Sequence, residues 1–282
     1  MPADPQQPNA DSQNSPFAIR NSPFVISMFH PTAVIHPTAQ IGDGCEIGPY
    51  CIIEEHAVLG AGCKLRSHVV IGSHTILGEG NEIFPFACLG QKSQDLKWKG
   101  GITWLRIGDH NTFREYVTVH RATNDGAATT VGSHNTILAY CHIAHDCKVG
   151  SRVIMSNVAT LAGHVTVEDQ AIVGGLAAVH QFCRIGRMAI IGGCSKVVQD
   201  VPPFMLADGN PAQTRTINKV GLERNGLSDD AQTALKHAYK ILFRDGLTIT
   251  NALTRIEAEL PRLPELLHLV SFIRASERGI SK

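Results

Sequence analysis

Between Phe29 and Val197 every sixth residue is aliphatic or aromatic, apart from Asp95, Gly101 and Asp125. A helix repeats near 3.6 residues and a half-buried strand alternates every two, so neither gives a strict six. A hexapeptide repeat does, and it predicts a parallel β-helix. The slot four residues after each large residue is small: Ala33, Ala39, Cys45, Cys51, Ala57 and Cys63, then Cys141, Cys147, Ala159, Ala171, Ala177, Cys183 and Ala189. Asn81, Asn111 and Asn135 are polar exceptions in that slot. One large and one small inward residue per six would fill a narrow prism. Three hexapeptides close a triangular coil of eighteen residues, and coils stack at about 4.8 Å, the spacing of neighbouring strands. Residues eighteen apart should then sit almost directly above one another. The breaks at Asp95, Gly101 and Asp125 fall in polar, glycine-containing stretches, expected to be loops inserted in whole multiples of six. Glycine follows the large residue in Ile41-Gly42, Leu59-Gly60, Ile71-Gly72, Val149-Gly150 and Ile185-Gly186, where tight corners with unusual φ are expected.

The period changes after Val201-Pro202-Pro203, which divides residues 28–203, the β-helix, from 204–282, a small α-helical domain. Ser228 is positioned to cap a helix whose first turn carries Asp229 and Asp230 and whose apolar face is Ala234, Leu235, Ala238, Tyr239 and Leu242, with Gly246 to end it. A second helix is predicted over Ile249–Leu260, stopped by Pro261. A third begins after Pro264, with Leu266, Leu267, Val270 and Ile273 as its buried stripe. Residues 1–27 are rich in Pro, Asn, Gln and Ser and lack the basic start and apolar core of a signal peptide. They read as a disordered extension, or as the product of an upstream start, since Met28 immediately precedes the first repeat.

Twenty-five basic residues balance 25 acidic ones, so charge suggests neither a nucleic-acid nor a membrane-surface partner. No apolar run is long enough to span a bilayer, and no membrane insertion is expected. Six of the eight cysteines (Cys45, Cys51, Cys63, Cys141, Cys147, Cys183) occupy the small inward slot, where a free thiol packs as a compact hydrophobe. Reduced thiols favour a cytoplasmic protein.

A prism filled with aliphatic side chains leaves no internal cavity, so a ligand must bind on an outer face or between subunits. Among fourteen histidines, His36, His56, His68, His74, His110 and His134 read as surface residues of the repeat. His145, Gly163 and Gln181 are spaced eighteen apart and should stack, with His164 and His180 each one position off that column. Spacing alone leaves a functional cluster and a chance alignment both open.

The segment Ala139-Tyr140-Cys141-His142-Ile143-Ala144-His145-Asp146-Cys147 resembles the active-site signature of the UDP-N-acetylglucosamine O-acyltransferase family. The likeness runs from Met28 onward, through Gln94-Asp95-Leu96-Lys97, Leu161-Ala162-Gly163-His164-Val165, Ala178-Val179-His180-Gln181-Phe182, Gln199-Asp200-Val201-Pro202-Pro203 and Gly209-Asn210. The rhythm is common to many acyltransferases; these segments in order are specific. The resemblance implies a left-handed β-helix that transfers an (R)-3-hydroxyacyl group from acyl carrier protein to the 3-hydroxyl of UDP-N-acetylglucosamine, the first step of lipid A synthesis. It implies no cofactor and no metal, and a homotrimer with sites between subunits.

By the same resemblance His145 would be the general base, Asp146 its orienting partner and Gly163 an oxyanion donor through its N–H. A sugar hydroxyl is a weak nucleophile, and a histidine has a pKa suited to taking its proton. Asp95, Lys97, His142, His164, His180 and Gln181 would position acceptor and acyl chain, and Gly193 would set acyl length at the far end of the groove. Asn218 and Arg224 would contact the nucleotide, although Asn225 stands where the family commonly has a second basic residue. A γ-carbonic-anhydrase-like zinc enzyme needs three histidines on one metal, and His145, His164 and His180 offer them superficially. Coil heights of about 4.8 Å suit bonds near 2 Å poorly. The later N-acyltransferase of the pathway carries an N-terminal nucleotide-binding domain that 27 polar residues cannot form. A non-catalytic scaffold is the remaining alternative.

Overall fold

The computed structural model describes residues 28–282, and the expected extension 1–27 lies outside them. The chain winds as a left-handed parallel β-helix with three flat faces. Each face is a sheet of two- to six-residue strands, every third strand in chain order and so one from each coil. The first sheet runs from Val34–Ile35 to Lys196–Val197, the second from Gln40–Ile41 to Arg184–Ile185, and the third from Glu46–Ile47 to Ile190–Ile191 and beyond.

Register obeys the sixfold rhythm. Ile35 lies opposite Ile53 and Ile53 opposite Ile71, each eighteen residues on. Across the two insertions the partners are Ile83 and Phe113, then Phe113 and Ile137, thirty and twenty-four residues apart. The excess is twelve and six, so inward residues return inward. Outside the insertions, large and small slots are buried from Cys45 to Val197, most of them in one apolar column. Inward thiols donate to carbonyls of the next coil, Cys51 Sγ to Arg66 O at 2.8 Å and Cys147 Sγ to Ala162 O at 3.1 Å. Burial raises the pKa of both, that of Cys147 to about 12.

Asn81, Asn111 and Asn135 are buried as well, stacked in a ladder inside the prism. Asn81 Oδ1 accepts from the Asn111 amide at 3.0 Å, and Asn111 Oδ1 accepts from the Asn135 amide at 2.8 Å. Asn135 Oδ1 then accepts from Val153 N at 2.7 Å. An amide side chain here replaces a methyl because it carries its own donors and acceptors up the stack.

The corners depart from expectation. Left-handed φ falls three residues after the large inward residue, as at Tyr50, His74, Asp146, His164 and Phe182. Gly42, Gly60, Gly72, Gly150 and Gly186 do not have positive φ. They are glycines because the next coil lies too close: a Cβ on Gly60 would stand 2.5 Å from the Gly78 carbonyl carbon.

The third sheet runs past Pro203 with two further strands, Met205–Gly209 and Ala212–Ile217, a hairpin joined through a cis Asn210–Pro211 bond. Helices therefore begin at α1 (Lys219–Arg224), then α2 (Asp229–Phe243), α3 (Ile249–Glu259) and α4 (Pro264–Arg274). Ser228 caps α2 by accepting from Ala231 N. The stripe of α4 differs from expectation: Leu267 is exposed, while Leu269 and Phe272 join Leu266, Val270 and Ile273 inside. The helices cover the last coils, with Arg184 lying over the Phe272 ring at 4.1 Å and His268 Nε2 donating to Glu168 at 2.7 Å. Among the described residues no helix is long and apolar enough to cross a membrane.

Candidate active site

Both insertions leave the first sheet and return to the second, so they emerge at one edge of the prism. Residues 92–103 connect Cys88–Gln91 to Trp104–Ile107, and 121–127 connect Thr118–His120 to Ala128–Val131. Asp146, His164 and Phe182 form the same edge one coil after another, each with left-handed φ. The repeat therefore delivers a column of side chains beside the two segments that escape it.

His145 precedes the corner and turns its ring along the surface. Its Nδ1 lies 2.8 Å from Asp146 Oδ2 and 3.0 Å from Thr123 Oγ1. The two side chains are only 13% and 11% exposed. Asp146 is held independently, its amide donating to Thr129 Oγ1 at 2.8 Å and its carboxylate accepting from Thr123 N at 3.2 Å. One coil on, Gly163 faces the ring directly. A Cβ there would lie 2.4 Å from His145 Cε1 and 2.6 Å from Nε2, so only glycine admits the imidazole. The Gly163 N–H bonds to no group among the described residues.

His164 stands edge-on to His145 with ring centres 5.3 Å apart, stacks on Phe182 at 4.7 Å, and places Nε2 3.7 Å from Asp146 Oδ2. His142 Nδ1 lies 2.7 Å from Thr118 Oγ1, and its ring meets His120 edge-on. Burial lowers the pKa of both, that of His120 to about 4, with the nearby His142 and His145 rings as lesser causes for His120. His180 is exposed, with Nδ1 3.1 Å from Gln181 O, and Gln181 is exposed beside it. Asp95 accepts from Lys97 N at 2.9 Å in a loop whose Leu96 projects fully into solvent. An open cavity of about 600 Å³ adjoins His164 and Phe182 and reaches Arg184, Glu277 and Arg278.

Three of the sequence-derived residues lie on other edges. Gly193 precedes Cys194 at the corner between third and first sheets, 3.3 Å (as a virtual Cβ) from Gly175 O. Asn218 is buried as the N-cap of α1, accepting from Gly221 N and donating to Met188 O at 2.8 Å. Arg224 is exposed in the last turn of α1, and Asn225 caps that helix while accepting from Gln170 at 2.9 Å.

Among the described residues one trio of potential ligand groups, His145, Asp146 and His164, has donor atoms within 4.8 Å of one another; His180 is outside it. The 2.8 Å approach of Nδ1 to Oδ2 is a hydrogen bond, and the zinc centre weighed for His145, His164 and His180 is not assembled within the chain. Sequence reasoning missed Thr123, Ser93, Thr129 and His120. Ser93, Thr123 and Thr129 all keep the phase of the small inward slot, so a hydroxyl in that slot was the available signal.

A family model described as UDP N-acetylglucosamine O-acyltransferase, domain 2, matches residues 200–281, and a bacterial transferase hexapeptide model matches 50–85. A curated relative from Thermodesulfovibrio yellowstonii, an acyl-[acyl-carrier-protein]–UDP-N-acetylglucosamine O-acyltransferase, is 52% identical over 90% of this chain and 98% of its own. The chain belongs to that family. A relative of the same name from Thiobacillus denitrificans is 50% identical over 90% of this chain and 99% of its own. The solved structure of LpxA from Acinetobacter baumannii superposes with a TM-score of 0.88 at 46% identity, covering 91% of this chain and all of that one. The UDP-N-acetylglucosamine acyltransferase from Bacteroides fragilis gives 0.89 at 39%, covering 90% and all of that chain. The protein is accordingly an acyltransferase, built as a hexapeptide-repeat β-helix.

Proposed function

We propose that this chain transfers an (R)-3-hydroxyacyl group from acyl carrier protein to the 3-hydroxyl of UDP-N-acetylglucosamine, beginning lipid A synthesis, with His145 as general base. The observation that carries the reading is the His145 ring itself, hydrogen-bonded at Nδ1 to Asp146 and laid by Nε2 against Gly163. With its proton on Nδ1, the ring has a lone pair on Nε2 for the sugar hydroxyl. As the oxygen attacks the thioester carbonyl, the proton passes to Nε2 and Asp146 stabilises the resulting cation. Negative charge gathers on the carbonyl oxygen, and the Gly163 N–H, without an internal partner, is available to it. Collapse of the tetrahedral adduct expels the thiolate of the carrier, and the proton on His145 returns to it.

Asp95, Lys97, His142, His164, His180 and Gln181 would hold the acceptor and acyl chain around that ring. Gly193, Asn218 and Arg224 cannot reach His145 in their own chain, because they lie at different edges of the prism. A second copy beside the first joins an edge to a neighbour's face, and a homotrimer does so three times over. The open cavity beside His164 likewise needs another wall. A cytoplasmic location fits six thiols kept free in the interior.

Purified protein incubated with 3-hydroxyacyl carrier proteins and either UDP-N-acetylglucosamine or its 3-amino analogue tests the reading directly. Ester formation with the first acceptor is expected. Transfer to the amine alone would reassign the acceptor, and activity from a species that light scattering shows to be monomeric would remove the shared site.

A further inference from the structure

Behind His145 lies a second layer of hydroxyl groups that take no part in the proton transfer itself. Thr123 Oγ1 is 3.0 Å from His145 Nδ1 and 2.7 Å from Ser93 Oγ. Ser93 Oγ accepts from Asp95 N at 3.1 Å, and Asp95 accepts in turn from Lys97 N. The Thr123 amide donates to both oxygens of Asp146, at 3.3 and 3.2 Å. Ser93 and Thr123 are 5% and 7% exposed. Hydroxyls so placed are stabilising only while their partners stay in reach.

We propose that Thr123 and Ser93 are positioning residues that tie the His145 imidazole to the segment carrying Asp95 and Lys97. The base is then aligned when that segment is seated. This rests on the reading of His145 as general base.

A base acting through Nε2 carries its proton on Nδ1, and that proton faces two oxygens on two different segments. A single acceptor at Asp146 would let the ring swing about one bond. The second acceptor, on residues 121–127, fixes its plane. Thr123 holds both members of the pair, the ring through its hydroxyl and the carboxylate through its amide. Ser93 passes the constraint to the other insertion. Other titratable groups near the ring are His164, edge-on at 5.3 Å, with His142 and His120 beyond. None of these three hydrogen-bonds to Nδ1.

The sequence offers a consistent reason. In the small inward slot most coils carry Ala, Cys or Val, and the asparagines there bond up the stack, whereas the two insertions and the strand after them carry Ser93, Thr123 and Thr129. Thr129 Oγ1 accepts the Asp146 amide. Two hydroxyls in one phase of the repeat, Thr123 and Thr129, thus meet the His–Asp pair from behind, and a third, Ser93, backs Thr123.

Steady-state kinetics of full-length Thr123→Val, Thr123→Ser and Ser93→Ala test the assignment. Valine keeps the branched shape and removes the hydroxyl. It should lower kcat about ten- to a hundredfold, the worth of one hydrogen bond to a charged group, with little change in KM for either substrate. Serine restores the oxygen and should recover most of kcat. Ser93→Ala should lower kcat and raise KM for the nucleotide sugar together, because the Asp95 segment loses its tether. It also carries the test should the valine variant fail to fold. Nitrogen NMR of the imidazole should show His145 losing its single Nδ1–H form in Thr123→Val. A folded valine variant with wild-type kcat, or a serine variant as impaired as valine, would overturn the proposal. If His145→Ala is also fully active, the general-base reading falls instead; if it is inactive while Thr123→Val is not, only the positioning role is lost.

Discussion

The first coils and the middle ones share one backbone geometry but fill it differently. Between Cys45 and Ile71 every inward slot is apolar, and the slots are sealed by Cys, Ala and Val against Ile and Leu. Between Asn81 and Asn135 the same slots hold three asparagines in a ladder, with Thr123 bonded to the candidate base, Ser93 bonded to Thr123 and Thr129 accepting from the Asp146 N–H. An apolar slot secures the stack and no more. A polar slot must find partners on the coil above or below, and so fixes where each backbone segment sits. The coils beside the candidate base are those whose interior is hydrogen-bonded.

The sharpest break of that comparison is at the ring itself. His145→Ala should lower kcat by roughly 10²–10⁴ while melting temperature and oligomer size stay near wild type, since inward Ile143 and Cys147 are untouched. Loss of the oligomer together with activity would make His145 structural. In the apolar coils the reverse is expected. Leu59→Ala, at a fully buried slot, should cost about 2–5 kcal/mol of stability, read by urea unfolding, with kcat per folded molecule unchanged.

Acid should divide the two regions as well. His120 is buried with a pKa near 4 against an ordinary 6.5. The unfolded chain therefore takes up this proton first. Its contribution is complete above about pH 6.5 and is lost as pH falls from there toward 4, by up to about 3 kcal/mol. Urea unfolding at pH 7 and pH 4.5 should show this loss, and His120→Gln should flatten it. An equally steep loss in the variant would place the acid sensitivity elsewhere. In the Asn ladder, Asn111→Ala should cost about 1–3 kcal/mol through the Asn135 N–H, which loses its acceptor Asn111 Oδ1, by the same measurement, with kcat preserved.

The smallest effect is one of selectivity. Gly193→Met should shift the preferred donor to a shorter acyl chain, because each buried methylene is worth about 0.8 kcal/mol and the side chain would fill the far end of the groove proposed for the acyl tail. Comparing kcat/KM across a donor series checks it, and an unchanged profile in an active variant would remove Gly193 from the groove.

Period and phase made the prism, its eighteen-residue coil and the contact of His145 with Gly163 legible in the sequence, because each repeats a physical constraint many times. The cap at Ser228 and the helix after Pro264 were legible for the same reason. Corner glycines misled: a glycine signals either positive φ or close approach, and Gly60 answers to the second. Leu267 lies off the stripe of Leu266, Leu269, Val270 and Ile273 that α4 buries, and Phe272 is buried with Arg184 over its ring. Ser93 and Thr123 were hidden inside the insertions, where the large-residue rhythm lapses although the phase is kept. Gly193, Asn218 and Arg224 were placed by resemblance alone, and no period or phase in the sequence relates them to His145, from which they stand apart in the fold.

The pairing of Phe113 with Ile83 and Ile137 across excesses of twelve and six residues gives this polypeptide something like a reading frame. An insertion of six residues adds a side to the surface and leaves all later coils in phase. An insertion of one would turn each later inward residue outward until the chain found a way to absorb it, much as a frameshift garbles every downstream codon. Length variation in the prism should therefore come in steps of six, and the two insertions beside His145 are where such steps have been taken.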